Sequence, residues 1–393
     1  MASNTAPAII GAGHTAFGKH DASNLEDLIV QATNEALEDA GVAAEDIDAI
    51  CLGHFNSGMV RDGFPASLIM ESTPALRWIP AIRYENACAS GSAALHGALD
   101  RIAAGRADTV LVIGVEKMTG LDTAGVTDAL AGAGYQHDEE ERKLNFPQIF
   151  AHFAQEYGER YGDPSETLAM IAAKNHHNGC ANPLAQMRRD LDIGFCNTVS
   201  DKNPMIAPPL RKTDCSLISD GAAALVITRG ENARGNGKSA RFTATSHVND
   251  RLSLKGRDLV SYEGPKRAFA EALKQAGMKL QDIDFAEVHD CFTIAELLIY
   301  EAMGLADPGQ GRRALDDGTV YPGGNLPVNV SGGLKAKGHP VGATGVSMHA
   351  LAYRQLTGKA GGIQIDPAPE TGLVFNMGGA AVANYVSVLQ PSG

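Results

Sequence analysis

The stretch YENACASGSAALHGALDRI (84–102) places one cysteine, Cys88, among alanines, serines and glycines. A polar segment leads into it and an alanine-rich helical pattern leads out, which puts Cys88 at the first turn of a helix. Unpaired N–H groups and the positive end of the helix dipole favour a thiolate there, and the small neighbours leave room for a carbonyl carbon at the sulfur. A cysteine packed inside a tight helix gives the same pattern. Cys88 therefore needs partners before it implies chemistry.

NVSGGLKAKGHPVGATGVSMHAL (329–351) presents His339 before a proline, in a Gly-dense turn that opens another small-residue helix. Proline fixes the turn, glycine permits close backbone approach, and the imidazole titrates near neutral pH. Lys335 and Lys337 stand close enough in sequence to orient that loop. The Gly-rich run lacks the G-x-x-x-x-G-K-[ST] spacing of a phosphate loop. In EVHDCFTIAEL (287–297), His289, Asp290 and Cys291 follow an apolar strand and precede a helix. Open α/β sheets place function at such strand ends, and a helix cap is the structural alternative for Asp290. Strand alternation would put His289 and Cys291 on one face and Asp290 on the other. VFNMGGAAVANY (374–385) carries a Gly-Gly turn whose N–H groups can meet an oxyanion.

The elements that hold these residues repeat. EALEDAGVAAEDID (35–48) matches EALKQAGMKLQDID (271–284) at 8 of 14 positions, each a helix end, a glycine stop and an acidic turn before a strand. DGAAALVIT (220–228) resembles MGGAAVANYVSVL (377–389). Gly41 aligns with Gly277 at an offset of 236 and Gly221 with Gly379 at 158, so the first half is about 78 residues longer. The excess falls where the texture turns helical and rich in Phe, Tyr and His, expected over the active face. The division is a first N-terminal part (1–117), an inserted helical region (118–205), the end of that half with a polar Gly-rich link (206–240), and a C-terminal half (241–393). Helices alternating with buried strands make the class α/β.

Composition narrows the function. The 393-residue chain has 44% hydrophobic and 20% charged residues, ordinary for a soluble protein, and a net charge of −13. That charge speaks against nucleic acid or an anionic membrane as partner. The N-terminus lacks a signal-peptide pattern, and no apolar run reaches bilayer length. Six cysteines, at 51, 88, 180, 196, 215 and 291, never form CxxC, which reads as a reduced, cytoplasmic chain without a structural metal. GAGHTA (11–16) fits a dinucleotide fingerprint loosely, but the following residues break the helix that site requires. His176 and His177, adjacent on a helix, do not share a face and are expected exposed or loop-packed.

The motifs NACASGSAA, LRKTDCSLISDGAAALVI, GGLKAKGHPVGATG and MGGAAVANYVSVL, together with the duplication and the first-half insert, resemble the thiolase superfamily over nearly the whole chain. The resemblance implies a five-layered αβαβα core, acyl-CoA substrates with no further cofactor, and a ping-pong reaction through an acyl-cysteine. Cys88 would be the acylated nucleophile and His339 its activator. The oxyanion hole would use the N–H groups of Gly378 and Cys88 with His289 and His339. The chain departs from the better-known thiolases in having Asn376-Met377-Gly378 for their Cys-x-Gly and His289-Asp290-Cys291-Phe292 for their Asn-Glu-Ala-Phe. That combination resembles the sterol-carrier-protein type, in which the Cys291 position is the acid/base.

Decarboxylating condensing enzymes also use one cysteine and two histidines but need no α-proton base, so Cys291 favours thiolase. Thiolase-like retro-aldolases acting with a small zinc-ribbon partner protein lack the nucleophilic cysteine. Arg211, Lys212, Arg188 and Arg189 are the candidates for the CoA phosphates. The resemblance implies a homodimer or homotetramer.

Overall fold

The computed structural model describes residues 6–230, 232–233 and 238–392. In the first half, β1 (Ala8–His14), α1 (Leu25–Ala40), β2 (Ala49–Gly53), α2 (Pro65–Ser72), β3 (Ala81–Tyr84), α3 (Ser90–Ala103) and β4 (Thr109–Glu116) lead to the insert. The insert holds α4 (Thr123–Ala131), α5 (Phe146–Tyr161), α6 (Ser165–Cys180) and α7 (Ile193–Asn197), and a hairpin of β5 (Met205–Ala207) and β6 (Leu210–Arg211) begins at its last residue and runs into the end of this half. β7 (Gly221–Thr228) closes this half. The second half runs β8 (Ala240–Asn249), α8 (Glu263–Ala276), β9 (Phe285–Val288), α9 (Thr293–Ala302), α10 (Arg313–Asp316), α11 (Gly333–Lys337), α12 (Thr344–Thr357), β10 (Gly372–Gly378) and β11 (Ala383–Pro391). Residues 231 and 234–237 of the Gly-rich link at 230–240 lie outside the described residues.

The duplication reads directly off the sheet, whose order is β3-β2-β4-β7-β1-β8-β11-β10-β9. β1 meets β8 antiparallel through Ala8–Arg241 and Ile9–Ala240. On either side of that seam, β7-β4-β2 answers β11-β10-β9, and β3 is an extra edge strand. The matched helix ends behave alike. Gly41 and Gly277 take φ of 63° and 67° after α1 and α8, and each is followed by a 3₁₀ turn and a strand. The second match holds less well. Gly221 opens β7, whereas Gly379 lies in the β10–β11 turn, four residues before β11 opens at Ala383.

The layers follow from which side chains each strand turns to which helix. One face of the first-half sheet (Ile10, Ile50, Leu52, Leu111, Ile113) packs under α1 and α2. The other face (Ile9, Val110, Val112, Leu225) joins α3, α12 and the second-half sheet in one large core, which α8 covers from outside. The succession α1–sheet–α3/α12–sheet–α8 is the expected five-layered arrangement. No described helix is long and apolar enough to cross a membrane. The glycines of GAGHTA serve packing, because a Cβ on Gly13 would come within 1.9 Å of Ala32 O in α1.

The amino ends of the two central helices, α3 and α12, meet at glycines. A Cβ on Gly345 would fall 2.4 Å from Ser92 N, and one on Gly91 would fall 2.9 Å from Gly342 O and Val346 N. That contact explains the small residues after Cys88 and after His339. Gly345→Ala should cost about 1–3 kcal/mol or more by urea unfolding. Gly18→Ala, at a site with open space, should stay within about 0.5 kcal/mol. Equal costs would show that the contact is not tight.

Candidate active site

Cys88 lies on an elbow between β3 and α3. Ala87 takes φ 50°, a left-handed conformation that costs a residue with a side chain about 1–3 kcal/mol. Three short bonds hold it there. Ala87 N–H donates to Glu85 Oε1 (2.6 Å), Ser90 Oγ to Ala87 O (2.6 Å), and Asn86 N–H to Ser90 Oγ (2.9 Å). The elbow brings Cys88 to the start of α3, with the sulfur facing the ends of the second-half elements.

His339 follows α11 and immediately precedes the turn into α12. Its backbone N–H donates to Ser219 Oγ (3.0 Å), and its Nδ1 lies 2.7 Å from Thr344 Oγ1. His289 follows β9, with Nδ1 2.8 Å from Asn376 Nδ2. The two rings meet edge to face, 5.0 Å between centroids. Cys88 Sγ and a nitrogen from each ring all lie within 4.8 Å of one another. Both Nε2 atoms are buried without a partner. Among the described residues this is the one group of three donors close enough to hold a metal ion, and a metal there would consume the thiol.

Burial governs the charges. Loss of hydration pushes the Cys88 thiol up to about 12, with the charges of Glu116 and Glu85 adding and the Gly379 N–H opposing. Burial, then the Lys337 charge, pulls His339 down to about 3. Burial, with His339 and Lys337 behind it, holds His289 well below its ordinary value. All three are neutral at neutral pH. Burial of the sulfur thus opposes the thiolate that the helix start favours. The amides of Gly379 and of Cys88 itself oppose the rise of the thiol.

β9 ends at Val288, so His289, Asp290 and Cys291 lie past the strand and its alternation does not sort them. Their bonds do. Asp290 accepts from Leu334 N–H (2.6 Å), Lys335 N–H (3.2 Å) and Asn175 Nδ2 (2.8 Å). It caps α11 and ties the His289 loop to the His339 loop. Burial and the Glu296 charge push its carboxyl up to about 7. Cys291 is buried outside the trio, and burial, then the charges of Cys88 and Asp290, raises its thiol well above the ordinary range.

Sequence reasoning missed Glu116, fully buried at the end of β4. It accepts from Phe55 N–H (2.9 Å), Asn56 N–H (3.0 Å) and Gly342 N–H (3.1 Å), joining two loops around the site. An acid closing an otherwise apolar strand was the available signal. Asn376 and Thr344 were also missed as contacts of the histidines. The insert grips the same loops. Asn178 and Asn182 donate to Asn329 O (3.0 Å) and Ser331 O (2.8 Å), and Phe150 stacks on Phe292 at 4.5 Å.

The proposed phosphate-binding residues do not form one patch. Arg211 is buried and spent internally on Asp214 (2.9 Å), Asn197 (2.6 Å) and Ser165 O (2.7 Å), so it is withdrawn as a CoA ligand. Lys212, Arg188 and Arg189 are exposed, with Arg188 donating to Cys180 O at 3.3 Å. His176 corrects the expectation of exposure. It is 1% exposed on α6, while His177 is exposed and pairs with Asp190 at 3.0 Å.

A raised thiol pKa has a sign that alkylation reads. The thiolate fraction of Cys88 should climb about tenfold per pH unit, so its iodoacetamide rate should rise from pH 6 to 9 without a plateau. A plateau with a midpoint below pH 8 would mean a resting thiolate–imidazolium pair.

Comparison with known proteins agrees with this geometry. The description "Thiolase, N-terminal domain" matches residues 7–231, and "Thiolase C-terminal domain-like" matches 245–391. The chain is 39% identical to acetyl-CoA acetyltransferase of Methanothermobacter thermautotrophicus over 95% of its length and 96% of the relative's. It is 33% identical to sterol carrier protein 2 of Oryctolagus cuniculus, over 95% of this chain and 70% of that one. Among solved structures, the Ltp2-ChsH2(DUF35) aldolase superposes with a TM-score of 0.82 at 23% identity, covering 98% of each chain. The chain belongs to the thiolase family.

Proposed function

We propose that the protein is an acyl-CoA C-acyltransferase working by ping-pong through an acyl-cysteine at Cys88. It would cleave 3-oxoacyl-CoA with CoA or run the reverse Claisen condensation. The observation that carries this reading is the approach of Cys88, His289 and His339 within 4.8 Å. As the sulfur attacks the thioester carbonyl, its proton passes to His339, and the departing CoA thiolate takes that proton. Attack and proton transfer are coupled because the resting thiol is neutral. The carbonyl oxygen is met by the amides of Cys88 and of the Gly378–Gly379 turn. In the second half-reaction the Cys291 thiol gives its own proton to His339 and takes an α-proton from the incoming acyl-CoA. The enolate oxygen rests on His289 Nε2–H and on His339, which now carries that proton; the enolate carbon attacks the acyl-Cys88 carbonyl, and the departing Cys88 thiolate takes the proton back from His339.

Asp290 is the rival base, and its three bonds to Leu334, Lys335 and Asn175 favour a structural task. A decarboxylating enzyme would have no use for the Cys291 thiol, and a retro-aldolase with a partner protein would have none for Cys88. Acyl-CoA substrates would make this a step of lipid and fatty acid metabolism, and the six cysteines without a CxxC support a cytoplasmic setting. For CoA phosphates, Lys212, Arg188 and Arg189 remain the candidates. A homodimer is supported by the edge strand β3, where Ile82 is 42% exposed, with Trp78 88% and Phe64 84% exposed nearby.

Cys291→Ala should still exchange labelled CoA with acyl-CoA through Cys88, yet lose exchange of the acetyl-CoA α-protons with deuterated water. Asp290→Asn should retain measurable proton exchange. Exchange that survives in Cys291→Ala and disappears in Asp290→Asn would make Asp290 the base. Light scattering should give twice or four times the 41.2 kDa chain mass; a monomer would remove the assembly.

A further inference from the structure

Two neutral histidines share one pocket but must do opposite things. If His339 is to take the thiol proton, its Nε2 must be a bare lone pair. If His289 is to meet an oxygen, its Nε2 must carry a hydrogen. Nothing in the imidazole itself decides this; the partner at Nδ1 does.

At His289 that partner is Asn376. Ser92 Oγ lies 2.7 Å from Asn376 Oδ1, and Asn376 Nδ2 lies 2.8 Å from His289 Nδ1 and 3.4 Å from Cys88 O. The opposite amide orientation would set two oxygens, Asn376 Oδ1 and Cys88 O, against each other without a proton between them. The amide therefore donates, Nδ1 accepts, and the hydrogen of His289 sits on Nε2. At His339 the partner is Thr344. Its hydroxyl has one hydrogen, and Pro340 O accepts it at 2.9 Å in the usual backbone bond of a helical threonine. Thr344 Oγ1 must then accept from His339 Nδ1–H at 2.7 Å, leaving Nε2 bare. The proton count closes on this arrangement alone. Neither Nε2 has a partner in the structure, so His339 is left with a lone pair that can take the thiol proton and His289 with an N–H that can meet an oxygen.

We propose that Asn376 and Thr344 are positioning residues that hold the two histidines in opposite neutral tautomers, His289 as a donor and His339 as an acceptor at Nε2. The proposal deepens the acyltransferase reading and rests on it for its purpose. It also explains why a non-titrating asparagine is useful at position 376. An ionised carboxylate there would accept from Nδ1–H and turn His289 the wrong way.

Long-range ¹H–¹⁵N correlation on protein labelled with ¹⁵N-histidine reads tautomers without turnover. At neutral pH His339 should be protonated at Nδ1 and His289 at Nε2. Asn376→Asp should move the His289 proton to Nδ1 and lower thiolysis on the order of 10²-fold, with Cys88 alkylation changing only a few-fold. Thr344→Val should slow alkylation and acylation of Cys88 together, and Thr344→Ser should recover most of the rate. Both histidines in one tautomer in the wild type, or an unmoved His289 proton in Asn376→Asp, would overturn the proposal. The expected tautomers in a protein that transfers no acyl group would leave it standing and sink the acyltransferase reading instead.

Discussion

The amino ends of α3 and α12 touch backbone to backbone, with Gly91 against Gly342 and Val346, and Gly345 against Ser92. Interiors are packed so densely that this contact leaves no room for a methyl group. Cys88 stands just before one helix and His339 just before the other, so the contact fixes their separation. The duplication supplies this arrangement. α3 leads into β4 and α12 into β10, so each half contributes a central helix whose start points at the shared seam. The two copies differ at these starts, with a thiol, Cys88, before one helix and an imidazole, His339, before the other.

Helix ends alone do not hold loops to within a few tenths of an ångström; buried carboxylates do that here. Glu116 collects amides from the Phe55–Asn56 and Gly342 turns, and Asp290 collects those that open α11. A buried carboxylate is costly unless its oxygens are satisfied, which makes each one a strong positional constraint once its donors are in place. Asn175 reaches both Asp290 (2.8 Å) and Glu296 (2.6 Å), and Lys174 neutralises Glu296 at 2.7 Å. The insert is thereby joined to the catalytic loops through polar bonds as well as through the Phe150–Phe292 stack.

The α/β layering and the repeat are legible in local spacing, which also singles out Cys88, His289 and His339, brought by the fold within 4.8 Å of one another, while Cys291 stays outside that group. What local spacing could not carry depends on distance through space. The Cys88 charge state turned on desolvation by elements far away in sequence, which a helix-start argument cannot weigh. Arg211 resembled a surface cation until Asp214, Asn197 and Ser165 closed around it. His176 resembled its exposed neighbour, although one residue along α6 turns a side chain from solvent into the core. The part of Asn376 was invisible for a related reason. Only the fold brings it to His289, 87 residues away in the chain.

The central claim is that the Cys88 sulfur takes the acyl group. Acid-quenched protein from a brief incubation with acyl-CoA, digested and read by mass spectrometry, tests it most directly. The account requires a single acyl adduct on the peptide containing Cys88, of a mass that follows the acyl chain supplied, and none in Cys88→Ser. An adduct on Cys291, or no adduct in an enzyme that turns over, would contradict it.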